Sequence, residues 1–320
     1  MTAGRTRVAV VGTGYLGRLH ARVLTEMPEV EHAGFLEPRD DVAAEVERTL
    51  GLRRWTSLED LAGAIDCAVV ATTTDAHAET AAALIERGVD VMIEKPITST
   101  VEEGVRLVAL AAERGRILQV GHVERYNPAI VAAAPFVGDP RYVEADRLGV
   151  FTGRSLDIDV LLDLMIHDLQ LVIAFLGEDV AAVHAVGIPV LTQNVDMANV
   201  RIEFASGAVA NLTASRVASE RVRKFRLFGS DSYVSVDTKE QQVHGYRLGT
   251  DASGAPAIVP LGVTVEKKEP LRAELESFLD AVRSRKKPLV SGEDGLAALR
   301  LAIRVAGEID ASLARWKGTR

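Results

Sequence analysis

Apolar residues in the first 120 or so positions follow two alternating rhythms. Runs at Val8–Val11, Ala33–Leu36, Cys67–Ala71, Val89–Ile93 and Ile117–Val120, interrupted only by Asp90 and Gln119, have the character of strands buried on both faces of a parallel sheet. Between them, Leu16–Met27, Asp41–Leu50, His77–Arg87 and Val101–Arg114 carry apolar positions at helical spacing. Two of these stretches stop at Gly88 and Gly115, a residue that readily takes the left-handed turn closing a helix. Alternation of this type predicts an α/β architecture with a doubly wound parallel sheet over residues 1–122.

The rhythm changes after Gly121. A Leu- and Ile-rich stretch, Ile158–Phe175, predicts one helix. Asn199–Thr213 then reads as two runs of period two around a Ser206-Gly207 turn, the pattern of an antiparallel hairpin. Further strands are expected at Lys224–Leu227, Tyr233–Val236 and Val243–Leu248, and helices at Leu271–Arg283 and Glu293–Ala314. The Gly- and Pro-containing piece Gly249–Pro260 reads as a surface loop. Residues 123–320 are thus expected to form a second, α+β domain.

Composition narrows the class. A chain of 320 residues exceeds what one core usually fills, in keeping with two domains. No apolar run approaches the ~20 residues of a membrane span, and the chain begins without a signal-like segment, so a cytoplasmic protein with no membrane partner is expected. The net charge of -8 argues against a general nucleic-acid surface while leaving room for local Arg clusters. The single cysteine, Cys67, lies in an apolar run and reads as a small buried hydrophobe; it excludes an intramolecular disulfide.

The candidate chemistry sits at the ends of the predicted strands. Gly12-Thr-Gly14-Tyr15-Leu16-Gly17 follows the first strand and opens a helix, the context in which backbone amides approach a pyrophosphate at the positive helix end. That places a Rossmann-type dinucleotide site in the first domain. Glu37 ends the second strand, where a carboxylate accepts hydrogen bonds from an adenosine ribose and repels a 2'-phosphate, favouring NAD; Arg39 could pair with that phosphate, so NADP is the less favoured alternative. Thr72-Thr73-Thr74-Asp75-Ala76-His77 ends another strand and can both cap a helix and wall the cofactor site. Glu94-Lys95-Pro96 closes the next strand, where a lysine facing nicotinamide can hold or deprotonate a substrate hydroxyl. Asp163 and His167, four apart on a helix, project from one face; the carboxylate can orient the imidazole, which takes up the hydroxyl proton. The roles of Lys95 and His167 are interchangeable at this level. No His/Cys/carboxylate set has metal-ligand spacing beyond this pair, so no metal is expected.

The Gly loop, Glu94-Lys95-Pro96, the junction Gly121-His-Val-Glu-Arg125-Tyr126-Asn127-Pro128 and Asp163-x-x-x-His167-Asp168 together resemble the Gfo/Idh/MocA oxidoreductases over nearly the whole chain. The resemblance implies a second domain with an open, mostly antiparallel sheet that binds substrate and serves oligomerisation, with the active site between it and the nicotinamide. It also carries the catalytic roles onto Lys95, Asp163 and His167. Tyr15, Leu16, Thr72, Thr73, His77, Glu94 and Lys95 join Gly12, Gly14, Gly17 and Glu37 as cofactor-binding positions. Arg125, Tyr126, Asn127 and Arg154 join Lys95, Asp163 and His167 as substrate-binding ones.

Within the family, the stretches 121–130, 147–154, 195–204 and 211–216 imply oxidation of a nucleotide-sugar hydroxyl to a ketone, foremost the 3-hydroxyl of UDP-N-acetylglucosamine on the lipid A precursor route. Arg125, Arg147, Arg154 and Arg216 are the forks that would suit its diphosphate. Inositol or a nucleotide uronic acid are alternative substrates, and a homodimer or homotetramer is expected by the same resemblance. Thr74, Glu37 and Gln170 stand where relatives more often have Pro, Asp and an acid; none of these departures removes a proposed catalytic group. A non-catalytic NAD-binding sensor is the rival reading, and it would need none of Lys95, Asp163 and His167.

Overall fold

The computed structural model describes residues 5–152, 159–251 and 253–318. The chain divides into two units: residues 1–123 with 271–299, and residues 124–270 with 300–320. The sequence pattern suggests a single cut at 122/123. The difference comes from the helix α8, Pro270–Ser284. Its Leu275, Phe278 and Leu279 are wholly buried in one core cluster with Val8, Val10, Phe35 and Met92. At about 1.5–3 kcal/mol for each such side chain, burial on the first unit decides where the helix packs, whatever its place in the chain.

In the first unit the strands are β1 Thr6–Val11, β2 Val30–Leu36, β3 Arg54–Trp55, β4 Cys67–Val70, β5 Asp90–Glu94 and β6 Leu118–Gly121. They form one parallel sheet in the order β3-β2-β1-β4-β5-β6. The helices α1 Tyr15–Thr25, α2 Asp40–Leu50, α3 Leu58–Ala62, α4 Thr74–Glu86 and α5 Val101–Glu113 make the crossovers. The short β3 and α3 were absent from the sequence reading because neither is long enough to show a period. The strand order reverses between β1 and β4, so the carboxyl ends of those strands flank the crevice where such sheets bind ligands. Cys67, at the opposite, amino end of β4, is fully buried and its thiol pKa is pushed up by desolvation, as a packing residue requires.

The second unit is built on an eight-stranded sheet of β7 Pro140–Leu148, β8 Val180–Ile188, β9 Met197–Phe204, β10 Val209–Ser215, β11 Val222–Gly229, β12 Ser232–Asp237, β13 Gln242–Thr250 and β14 Pro256–Pro260. The order is β14-β13-β12-β11-β7-β10-β9-β8, antiparallel throughout except for the β7–β10 pair. Ala198, Val200, Ile202 and Phe204 of β9 are buried with Ala210, Leu212 and Ala214 of β10, a clean period of two. α6 Pro128–Ala133 and α7 Ile166–Leu176 complete this unit, and α9 Gly292–Gly318 runs from the first unit into the second. Pro256–Pro260, expected to be loop, pairs with β13 instead. Its prolines sit at the two ends of an edge strand, the place in a sheet that tolerates a missing N–H. β7 escaped the sequence reading because charged residues alternate with its apolar ones. Among the described residues, no helix is long and apolar enough to cross a membrane.

Candidate active site

The Gly loop is shaped by backbone crowding. Gly12 has φ +84°, donates its N–H to the Leu36 carbonyl at 2.8 Å, and lies so close to Ala71 and Thr72 that a Cβ would strike their backbone. A Cβ on Gly17 would collide with the Gly12 carbonyl oxygen, whereas one on Gly14 would meet nothing within 4 Å. Gly14 is the N-cap of α1, with no side-chain cap and no acidic residue in the first turn. The helix therefore presents its first N–H groups and positive end to the open side of the loop, a setting that fits a pyrophosphate. Tyr15 and Leu16 are exposed on the same turn.

Glu37 is 3% exposed. Its carboxylate accepts the Thr13 N–H at 2.9 Å and Oγ1 at 3.3 Å, together with the Arg39 N–H at 3.1 Å and the Arg39 guanidinium at 2.8 and 3.2 Å. Burial alone would raise its pKa, but these donors outweigh it and hold the carboxyl down at about 2. The carboxylate thus straps the loop while keeping its charge at the end of β2. Arg39 is turned onto it, with its own side chain 60% exposed.

At the end of β4, Thr73 is the N-cap of α4 and Thr72 precedes it. His77 is buried, with Nδ1 2.9 Å from the Pro96 carbonyl oxygen and Nε2 3.2 Å from that of Thr72. Burial lowers its pKa. A neutral ring can donate only once, and the shorter bond to Pro96 ties the first turn of α4 to the loop after β5. Glu94 is also committed to the protein: its carboxylate lies 2.6 Å from His20 Nε2 of α1 and accepts the Lys95 N–H at 3.2 Å. Lys95 is half-buried. His122, just after β6, is kept neutral by burial and by the Lys95 charge, which bring its pKa to about 3.

In the second unit, Asp163 lies in a wide π-helical turn, Leu161–Met165, that leads directly into α7, while His167 is in the first turn of that helix. Both are half-exposed, whereas Leu161, Met165, Ile166, Asp168, Leu169 and Gln170 are buried. Wide turns of this type recur at functional positions. The helix is anchored by a buried ion-pair network. Arg147 of β7, 4% exposed, donates two 2.7 Å bonds to Asp168 and a third to Glu124. Burial opposes its charge, but the two carboxylates outweigh that and push its pKa up. The fork expected to be available to a diphosphate is therefore engaged inside the fold.

The remaining substrate candidates are placed as follows. Asn127 is buried, caps α6 through the Ala129 N–H at 3.1 Å, and donates to the Thr238 carbonyl at 2.9 Å. Arg125 has its Cζ 5.9 Å from the Phe175 ring centroid. Tyr126 is 4% exposed, and Arg216 is 7% exposed with Asp196 3.7 Å away. Arg154 lies outside the described residues. Sequence reasoning missed His20 and Glu274, which come together with Glu94 in the first unit. Only the position of His20 one turn after Gly17 hinted at this; Glu274 is far away in the chain and carries no local signal.

A family model for the GFO/IDH/MocA oxidoreductases, described as an NAD-binding Rossmann fold, matches residues 6–122, and one for the GFO/IDH/MocA C-terminal domain matches 136–235. The chain is 38% identical to UDP-N-acetylglucosamine 3-dehydrogenase from Acidithiobacillus ferrooxidans over 97% of this chain and 99% of that one. A solved structure of that enzyme superposes with a TM-score of 0.89 at 37% identity, covering 97% and 99% of the two chains. Scyllo-inositol 2-dehydrogenase (NAD(+)) from Bacillus subtilis is 28% identical over 93% of this chain and 92% of its own. The paired domain matches and the full-length identity place the chain in the Gfo/Idh/MocA family of oxidoreductases, as an enzyme acting on CH–OH donors.

Proposed function

We propose that the protein oxidises the 3-hydroxyl of UDP-N-acetylglucosamine to a ketone with NAD, supplying a substrate for amination on the lipid A precursor route. The observation that carries this reading is the 38% identity, over 97% of the chain, to an enzyme of that name. Asp163 and His167, half-exposed on a helix otherwise largely buried, supply the chemistry. The nicotinamide, when bound, accepts the hydride from the carbon that carries the hydroxyl. The Gly12–Gly17 loop and the end of α1 hold the pyrophosphate, and Glu37 takes the ribose hydroxyls of the adenosine.

In the direction of oxidation, His167 accepts the hydroxyl proton and Asp163 steadies the imidazolium that results. Lys95 binds the same oxygen and stabilises the charge that develops on it. If Lys95 is the base instead, His167 takes over the binding of that oxygen. A dimer or tetramer in the cytoplasm, assembled through the open sheet, completes the proposal; Tyr246, Leu248 and Ile258 at its β13–β14 edge are 51%, 61% and 73% exposed.

Inositol oxidation is the second reading, favoured by the 28% identity to scyllo-inositol 2-dehydrogenase. Mixing the protein with NAD and a panel of UDP-sugars and inositols, while following NADH absorbance and product mass, separates the two. UDP-N-acetylglucosamine is expected to lose two hydrogens; turnover of an inositol and of no UDP-sugar overturns the first reading. Lys95→Met and His167→Ala are each expected to lower turnover by about 10²- to 10⁴-fold with NADH affinity nearly unchanged. Near-normal turnover in either variant would remove that residue from the mechanism.

A further inference from the structure

Behind the Glu94-Lys95-Pro96 strand end, the first unit buries three ionisable side chains together. His20 of α1, Glu94 of β5 and Glu274 of α8 each offer an atom within 4.8 Å of the other two. His20 and Glu274 are 0% exposed and Glu94 is 7% exposed. Glu94 has partners in His20 and the Lys95 N–H. Among the described residues neither carboxyl oxygen of Glu274 has a hydrogen-bond partner, although its main-chain carbonyl accepts a hydrogen bond from Gln119 Nε2 at 3.2 Å. The ionisable groups beside it are His20 and Glu94, and among the described residues it forms no ion pair with an arginine.

Two chemistries could bring two carboxyls and an imidazole together: a bound metal or a shared proton. Two ligand atoms at about 2.1 Å from a tetrahedral metal stand about 3.4 Å apart. His20 Nε2 and Glu94 Oε1 are 2.6 Å apart, which is the separation of a strong hydrogen bond and too short for two ligands of one metal. An unpaired carboxylate in such a place is costly, and a second one beside Glu94 would repel it, so the group is stable with one of the carboxyls protonated. Burial and the Glu94 charge both push the Glu274 pKa well up, whereas His20, Lys95 and the Lys95 N–H hold that of Glu94 down despite its burial.

We propose that Glu274 is a neutral carboxylic acid that confines Glu94 against His20 and the Lys95 N–H, and is thereby a positioning residue for Lys95. The reaction that Lys95 serves is the one proposed above. Because Glu94 holds the Lys95 backbone, any displacement of its carboxylate moves the lysine. A neutral Glu274 fills the space beside it without adding a second negative charge.

The test compares wild type with Glu274→Gln, which keeps shape and neutrality, Glu274→Ala, which removes both the bulk and the acid, and Glu274→Asp. At neutral pH the infrared spectrum of the wild type should contain the C=O stretch of a protonated carboxyl that Glu274→Gln lacks. Glu274→Ala and Glu274→Asp should lower kcat about tenfold or more, with NADH affinity little changed, and Glu274→Gln should restore it. The rate at which acetic anhydride acetylates Lys95, read by peptide mass spectrometry, should change in the Ala variant and not in the Gln variant. If Glu274→Ala fails to fold, the Asp variant carries the kcat and acetylation arms. A wild type without the protonated-carboxyl band, a band that survives in Glu274→Gln, or stoichiometric metal lost on that substitution would overturn the proposal. Wild-type kcat and acetylation rate in both the Ala and Asp variants would do the same. If no sugar or polyol is oxidised at all, the proposed function fails, while the infrared and acetylation results still decide this one.

Discussion

Replacing Glu37 by alanine takes away a buried carboxylate that five hydrogen bonds hold at the end of β2. In the wild type, a 2'-phosphate about 5 Å from that carboxylate would meet about 3 kcal/mol of repulsion per pair of unit charges at an effective dielectric of about 20. Attraction from Arg39, which is 60% exposed, and solvent screening reduce this to about 2 kcal/mol, or roughly thirtyfold in affinity. The substitution removes that term and releases the Arg39 fork for the phosphate. NADH meanwhile loses a charged acceptor for its ribose hydroxyls; water replaces part of it, so a loss of about tenfold is expected. The ratio of NADPH to NADH affinity should therefore rise by about 300-fold, measured by fluorescence titration of both cofactors. A change of less than about threefold would refute the assignment.

The same variant has a pH signature. The carboxyl titrates at about 2 in the folded protein and near 4.3 when unfolded, so its contribution is fully present above the unfolded value and is lost as pH falls from there towards 2. That contribution is about 2 kcal/mol once the exposure of Arg39 is discounted. The stability gap between wild type and variant should close over that acid range and stay constant above pH 5.

Alanine at two of the loop glycines should have opposite effects. Gly14→Ala, whose Cβ meets nothing within 4 Å, should leave the melting temperature unchanged while weakening NADH about tenfold or more, because the methyl occupies the approach to the helix end. Gly17→Ala, whose Cβ would strike the Gly12 carbonyl, should cost about 2 kcal/mol or more of stability; equal melting shifts for the two would refute this division of roles. Asp168→Asn leaves the Arg147 guanidinium buried with Glu124 as its remaining carboxylate partner among those described and should cost about 3–5 kcal/mol in denaturant unfolding. Adding Arg147→Met should recover much of that loss, and a double mutant no more stable than the single would argue against the pair as its source.

Local periodicity made the parallel sheet of the first unit legible, because its five longer strands are largely apolar runs and the first four are each followed by a helix with apolar positions at helical spacing. The Gly loop was legible for a related reason: its spacing expresses a backbone constraint, visible in the positive φ of Gly12 and the crowding at Gly17. Asp163 and His167 were placed on one helical face by counting, although counting could not foresee the wide turn on which Asp163 sits. What stayed hidden depends on partners remote in sequence. Arg147 looked like a phosphate ligand because nothing near it in the chain announces Asp168 and Glu124. The return of α8 to the first unit escaped for the same reason, since an amphipathic helix shows that it has an apolar face and not which core receives it.

The buried charges of the first unit share a logic that explains why they sit where they do. Glu37 ends β2 and reaches Thr13 of the Gly loop, and Glu94 ends β5 and reaches His20 of α1. One carboxylate therefore braces each side of the segment that presents α1 to a pyrophosphate. Apolar packing could not do this at the same place, because the mouth of the crevice has to stay open to a polar ligand and cannot be filled with side chains. A charged hydrogen bond fixes an atom by direction as well as distance, and in a buried setting it keeps much of its strength. Lys95 follows Glu94 directly, so the brace that steadies α1 also steadies the lysine; outright loss of the Glu94 carboxylate, which frees His20 as well as Lys95, should reach cofactor and substrate together, whereas loss of that of Glu37 should reach the cofactor alone.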